Sequence, residues 1–310
     1  MRILWISILS SLSVAACTQK VDTVYVENNG VFEKHYLALL PEQASKGLLV
    51  ILPGFGTMPD EVLKETKLPQ TACKAGYTVV IPLLLRYDTE DTAFIFQSRL
   101  EALIPELTEK YHIPKDKFII GGHSLGGHQA LFYAEKACMP ANKTIIKPQL
   151  VFGVDPPLDL KRLFNGFMRS IRLDPEKAKG GEAEFITGRF RRIFGGSPDE
   201  RPEAYAAASS YSRDALEGGN ARYLENMPVR LYSDPDVQWY ITERNTPMEW
   251  TNTADLSACI VQLRLLGNRD AEYISCLGKG YLPDGKRHPH AFSMLDADEF
   301  VAWADKMLYK

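Results

Sequence analysis

A serine stands between two glycines in Gly122-His123-Ser124-Leu125-Gly126, at the junction of two different periodicities. Upstream, Lys117-Phe118-Ile119-Ile120-Gly121 reads as a short buried strand. Downstream, Gly127-His128-Gln129-Ala130-Leu131-Phe132-Tyr133-Ala134 reads as a helix. A turn that sharp leaves almost no room for side chains two residues before and two after the serine. Glycine fits there and tolerates the strained backbone. The serine Oγ is thereby held out at the carboxyl edge of a sheet, beside a helix N-terminus that favours developing negative charge.

The segments around this turn alternate. Val21 to Val26 and Lys34 to Leu40 predict two antiparallel strands with a turn at Asn28-Asn29-Gly30. Gly47 to Leu52 is a continuous apolar run that ends in Pro53-Gly54-Phe55-Gly56, a central strand followed by a glycine-rich turn. Pro59 to Ala75 reads as a helix, Thr78 to Leu84 as a strand and Thr92 to Tyr111 as a long amphipathic helix. Leu150 to Val154 is a further strand, ending at Asp155-Pro156-Pro157. The rhythm resumes at Pro228 to Tyr232, with a helix from Asp255 to Leu266, a strand from Glu272 to Cys276 and a last helix from Asp296 to Leu308. Strand–helix alternation of this kind demands an α/β architecture, a mostly parallel sheet with helices on both faces. The interruption from about 157 to 227, about 70 residues, is far longer than an ordinary connection and predicts a helical lid. Phe164, Phe167, Phe190, Phe194 and Tyr205 are read there as lid core rather than ligand contacts, and Arg189, Arg191 and Arg192 as a solvated basic face.

The formal net charge of −3 over 310 residues gives no basic face, so nucleic acid is not expected as a partner. At the N-terminus, Met1-Arg2 precedes an apolar run from Ile3 to Val14 and then Ala15-Ala16-Cys17. One basic residue, a short apolar stretch and small residues make a secretory signal, here residues 1–16. The sequence before Cys17 resembles a bacterial lipobox. That resemblance implies cleavage before Cys17, lipidation of its thiol and a membrane-anchored protein of the cell envelope. Thr18 in place of an aspartate favours the outer membrane. The remaining cysteines, Cys73, Cys138, Cys259 and Cys276, match no zinc spacing. They read equally as disulfide partners, with Cys259 and Cys276 nearest in sequence, or as small buried hydrophobes.

Taken in order, the glycine turn, the serine turn, the insertion and two late polar loops resemble the α/β-hydrolase superfamily over nearly the whole of residues 17–310. The stretch Tyr111 to Gly127 resembles its esterase and prolyl-oligopeptidase-like branch. The resemblance implies Ser124 as nucleophile, a base late in the chain and no metal or organic cofactor. Of six histidines, only His288 and His290 come late enough, and His290 is preferred because an aromatic residue and a helix follow it. For the acid, Asp236 is preferred over Asp234 in the loop Ser233-Asp234-Pro235-Asp236, with Asp155 as a minority candidate otherwise read as a pocket wall. The N–H groups of Leu125 and Phe55, with Gly56 second, are the expected oxyanion donors. Arg86 and Tyr87 are expected to line the pocket. The implied activity is hydrolysis of a small-molecule or glycan carboxylic ester by a serine esterase. The alternatives are a serine peptidase of the same fold and a non-catalytic binding lipoprotein.

Overall fold

The computed structural model describes residues 5–14, 17–28, 31–84 and 93–309. Three antiparallel strands come first: β1 (Trp5–Val14), β2 (Cys17–Asn28) and β3 (Val31–Leu40). Of the expected turn between the last two, Asn29 and Gly30 lie outside the described residues. There follow β4 (Gly47–Leu52), α1 (Pro59–Glu65), α2 (Leu68–Lys74), β5 (Tyr77–Pro82), α3 (Ala93–Lys110), β6 (Phe118–His123), α4 (Leu125–Cys138) and β7 (Leu150–Val154). The second half carries α5 (Leu160–Leu173), α6 (Pro175–Ala178), α7 (Glu182–Phe194), α8 (Pro202–Ala208), β8 (Val229–Ser233), α9 (Val237–Arg244), α10 (Asn252–Leu265), β9 (Ala271–Ser275) and α11 (Ala297–Leu308).

Among the described residues, nine strands join one sheet in the order β1-β2-β3-β5-β4-β6-β7-β8-β9. From β5 to β9 every pairing is parallel. The expected α/β fold, a mostly parallel sheet with helices on both faces, is therefore present. Alternate residues of the same strands feed two cores, as a sheet covered on both sides requires. Leu48, Val50, Ile120 and Val151 face α3 and α4, and Leu49, Ile51, Ile119 and Phe152 face α2 and α11. Phe152 lies against Phe300 with ring centroids 4.5 Å apart. It occupies the space a side chain would need at Gly121, where an added Cβ would come within 2.1 Å of its ring.

Two expectations change. The helix predicted over Pro59 to Ala75 is two helices, α1 and α2, with Thr66 extended between them at φ −147° and ψ 152°. Pro69 supplies the reason: it has no N–H for a continuing helix, and its ring would clash with the carbonyl four residues back. The insertion does not present a uniformly solvated basic face, because Arg189 is buried and the Arg191 guanidinium sits 5.1 Å from the Phe164 ring centroid. Leu160, Phe164, Tyr205 and Ala208, flanked by Phe190 and Phe194, form a separate small core in the segment between β7 and β8. Cys73, Cys138, Cys259 and Cys276 are free thiols, all but Cys138 buried, which fits the reading as small hydrophobes rather than disulfide partners. Among the described residues no helix is long and apolar enough to cross a membrane.

The Phe152–Gly121 fit generates a prediction. Phe152→Ala leaves a cavity between β6, β7 and α11. It is expected to lower the unfolding free energy by about 3–5 kcal/mol, measured by denaturant titration.

Candidate active site

Ser124 connects β6 to α4 at φ 53° and ψ −123°, a conformation that costs an L-residue strain. Packing against the neighbouring strand enforces it. A Cβ at Gly122 would lie 2.3 Å from the Leu52 carbonyl oxygen, and one at Gly126 would lie 2.1 Å from the same atom. The Ser124 N–H donates to the Val154 carbonyl at 2.9 Å, which ties this turn to the end of β7. The turn after β4 closes over it from the other side, since an added Cβ on Gly54 would meet Ser124 Cβ at 3.6 Å.

His290 reaches this turn from the loop before α11. Its Nε2 is 2.9 Å from Ser124 Oγ and its Nδ1 is 2.5 Å from Asp155 Oδ2. In the neutral tautomer that suits both contacts, Nδ1–H donates to the carboxylate and Nε2 accepts from the hydroxyl. His288 is not at the serine. Its Nε2 accepts from Arg244 Nη2 at 3.0 Å and its ring sits 5.3 Å from the Trp239 centroid.

The preferred acid, Asp236, is elsewhere. Its Oδ1 caps α9 by accepting from the Trp239 N–H at 3.0 Å, and its Oδ2 accepts from Arg287 Nη2 at 2.9 Å. Asp234 is buried and fully engaged, accepting from the Gly278 and Gly280 N–H groups and from Arg287. The carboxylate on the histidine belongs to Asp155, which the sequence reading had placed in the pocket wall. The reason is sheet order. His123 is in register with Val154 on adjacent parallel strands, so Asp155 leaves the sheet directly beside Ser124, whereas β8 lies one strand further out. Asp155 adopts φ 46°, a left-handed conformation that aspartate tolerates better than most residues. Asp155 was the minority candidate for this contact, an aspartate that ends the strand after the serine turn and is followed by two prolines, which stop the strand there.

The other histidines stay away from the serine hydroxyl. His123 stacks on Phe292 at 5.4 Å and flanks the His290 ring at 4.8 Å. Burial, with His290 and His288 nearby, holds its pKa well below the usual range and keeps it neutral. His128 is buried against Ser210, whose hydroxyl donates to the His128 carbonyl, and burial lowers its pKa to about 4. His290 differs. Enclosure works against its protonation, but the hydrogen bond and charge of Asp155, helped by Glu182, outweigh that, so its pKa is raised above 6.5.

Leu125 is the first residue of α4, so its N–H is one of the helix donors with no acceptor inside the helix. Phe55 follows Gly54 in the turn packed on Ser124, and its ring, 40% exposed, lies 5.7 Å from that of Phe185 on α7. Arg86 and Tyr87 lie outside the described residues. Among the described residues, no three histidine, cysteine, aspartate or glutamate side chains gather where they could hold a metal ion.

The family model described as "Alpha/beta hydrolase family" matches residues 49–303. No curated protein sequence matches the chain. Among solved structures the chain is similar to an S-formylglutathione hydrolase from Agrobacterium tumefaciens. Identity is 12%, coverage is 99% of this chain and 100% of that one, and the TM-score is 0.59. It is similar to carboxyl esterase 2 of the mycorrhizal fungus Tuber melanosporum at 13% identity, over 100% of this chain and 88% of that one, with a TM-score of 0.56. It also resembles an acylaminoacyl peptidase from Pyrococcus horikoshii at 13% identity, covering 99% of this chain but 42% of that one, with a TM-score of 0.58. These are likenesses of fold.

The contacts of His290 set a titration. A group with a raised pKa keeps its proton to higher pH than a free imidazole. An NMR titration is expected to place the His290 midpoint above 6.5. Asp155→Asn, which removes the negative partner, is expected to bring that midpoint down.

Proposed function

The chain belongs to the alpha/beta hydrolase family, and we propose that it is a serine hydrolase that cleaves carboxylic esters with Ser124, His290 and Asp155 as its triad. The observation that carries this reading is the single imidazole that bridges a strained serine and a buried carboxylate, at 2.9 Å and 2.5 Å.

In this reading His290 Nε2 takes the Ser124 proton as Oγ attacks the ester carbonyl carbon. Asp155 fixes the tautomer and stabilises the imidazolium that forms. The oxyanion of the tetrahedral intermediate accepts from the N–H groups of Leu125 and Phe55, at the N-terminus of α4. The intermediate collapses as the imidazolium protonates the departing alkoxide, leaving an acyl group on Ser124. Water then attacks the acyl-enzyme, His290 accepts its proton, and the acid product leaves. The raised pKa of His290 makes it a stronger base than a free imidazole, and below that pKa the protonated ring cannot start the reaction.

The ester reading is supported by the likeness to a carboxyl esterase and to an S-formylglutathione hydrolase. The partly exposed Phe55 and Phe185 rings, in contact beside the serine turn, suit a neutral acyl or alcohol group. The place of action is the cell envelope, with cleavage before Cys17 and a lipid anchor on its thiol. That cleavage removes β1, which pairs only with β2 at one end of the sheet, and leaves the parallel strands untouched.

A fluorophosphonate probe is expected to label the parent protein at Ser124, and Ser124→Ala to abolish labelling. Labelling that survives that substitution would assign the nucleophile elsewhere. Asp155→Asn is expected to lower kcat on an activated ester by about ten thousand-fold, the order seen when a triad acid is neutralised. Asp236→Ala, which removes the α9 cap, is expected to cost about 1 kcal/mol of stability while chemistry persists. Parallel panels of acyl esters and peptide amides separate esterase from peptidase. Expressed in a bacterial host with its leader, the parent is expected in the membrane fraction and Cys17→Ser in the soluble fraction.

A further inference from the structure

The backbone of Asp155 is held by a side chain that touches neither serine nor histidine. Asn252, the first residue of α10, donates from Nδ2 to the Asp155 carbonyl oxygen at 2.9 Å. On its other edge, Asn252 Oδ1 accepts from Arg162 Nη2 at 2.8 Å. A guanidinium can only donate, so the amide oxygen must face Arg162. The amide nitrogen is then committed to the Asp155 carbonyl. The orientation of Asn252 is thus imposed by Arg162.

Arg162 is itself fixed on every side. Nε and Nη2 donate to Asp255 Oδ2 at 2.8 Å and 2.6 Å, and Nη1 donates to the Trp250 carbonyl at 2.9 Å. Asp255 is fully buried and Arg162 is 8% exposed. Arg213 Nη2 completes the carboxylate at Asp255 Oδ1, 3.1 Å away. Asp159 joins in by accepting from the Arg162 and Arg213 backbone N–H groups. Removing this pair from water has a desolvation cost that its attraction does not dependably recover, so stability alone is a weak account of it. Control of position is the better account, since a guanidinium fork has one geometry.

We propose that Asn252 is a positioning residue for Asp155, oriented by the Arg162–Asp255 pair. The inference rests on the reading of Asp155 as the triad acid. Its physical basis is how little else holds that carboxylate. Asp155 sits at φ 46°, and its N–H donates to the Tyr232 carbonyl at 2.8 Å. Its Oδ2 engages His290, and its Oδ1 has no partner among the described residues. With the side chain tethered only at the histidine, the backbone placement decides where the carboxylate points, and Asn252 holds the carbonyl side of that backbone. Arg162, Asp159 and Arg213 all come from the segment between β7 and β8. The covering segment and the acid are therefore set by one buried network.

The discriminating variant is Asn252→Asp. It keeps the shape of the side chain and the contact to Arg162, now as an ion pair, but it cannot donate to the Asp155 carbonyl. It is measured in the full chain beside Asn252→Ala and Asp155→Asn, with p-nitrophenyl acetate as substrate. Turnover is divided by the fluorophosphonate-titrated serine, so unfolded protein does not count. Asn252→Asp is expected to lower kcat about tenfold to a hundredfold with KM changed by less than about twofold, the effect of a slightly misplaced catalytic group. Asn252→Ala is expected to lose at least as much. The inference is overturned if both Asn252 variants turn over at the parent rate per titrated serine while Asp155→Asn is inactive. If Asp155→Asn is itself fully active, the triad reading falls, and this inference with it.

Discussion

One backbone hydrogen bond sets the geometry of the site: the Ser124 N–H to the Val154 carbonyl, 2.9 Å. It joins the ends of two adjacent parallel strands at the point where both turn away from the sheet. Each turn is made by a non-glycine residue at positive φ, Ser124 at 53° and Asp155 at 46°. Neither conformation is favourable alone, and each persists because the surrounding packing leaves no alternative. At Ser124 the constraint is the Leu52 carbonyl pressed against Gly122 and Gly126. At Asp155 it is the pair of bonds to Tyr232 and Asn252. Ser124 and Asp155 are thus neighbours by construction, and only His290 must be brought in from a distance.

That delivery explains the two aspartates after β8. Arg287 lies three residues before His290 and donates to Asp234, to Asp236 and to the Gly280 carbonyl. Asp234 also accepts from the Gly278 and Gly280 N–H groups. These carboxylates therefore fasten the loop that carries His290 rather than polarise its ring. They hold His290 where the Asp155 carboxylate can reach it. Removing Arg287 would leave the buried Asp234 carboxylate without its cation, which costs more than an exposed pair contributes.

The sequence made the architecture and the turn at Ser124 legible for a local reason. Apolar alternation, the glycine spacing around Ser124 and the late position of His290 are all encoded within short windows. The carboxylate that meets His290 was not legible, because Asp155, Asp234 and Asp236 each end or follow a strand and each suits a turn. What separates them is the spatial order of β6, β7 and β8 together with the partner each carboxylate finds. That information is long-range: Asp236 meets Arg287 51 residues away and Asp155 meets His290 135 residues away. The break between α1 and α2 was missed for the opposite reason. Pro69 was a local signal, overridden in the reading by a helical pattern that continued past it.

The segment between β7 and β8 is anchored unevenly. Its first turn is pinned to α10 through Arg162, Asp159 and Asp255, all buried. Opening there would expose an ion pair and disturb the carbonyl of Asp155 at the same time. Breaking a buried pair costs about 3–5 kcal/mol, too much for a routine gate. The beginning of α7 is different: Glu182 is exposed, Phe185 is 45% exposed, and the ring contact of Phe185 is with Phe55. An apolar contact between two partly solvated rings is weak and reversible. The weaker attachment of the segment is therefore at the start of α7, and the firmer one is at its base, in the network that reaches the Asp155 carbonyl.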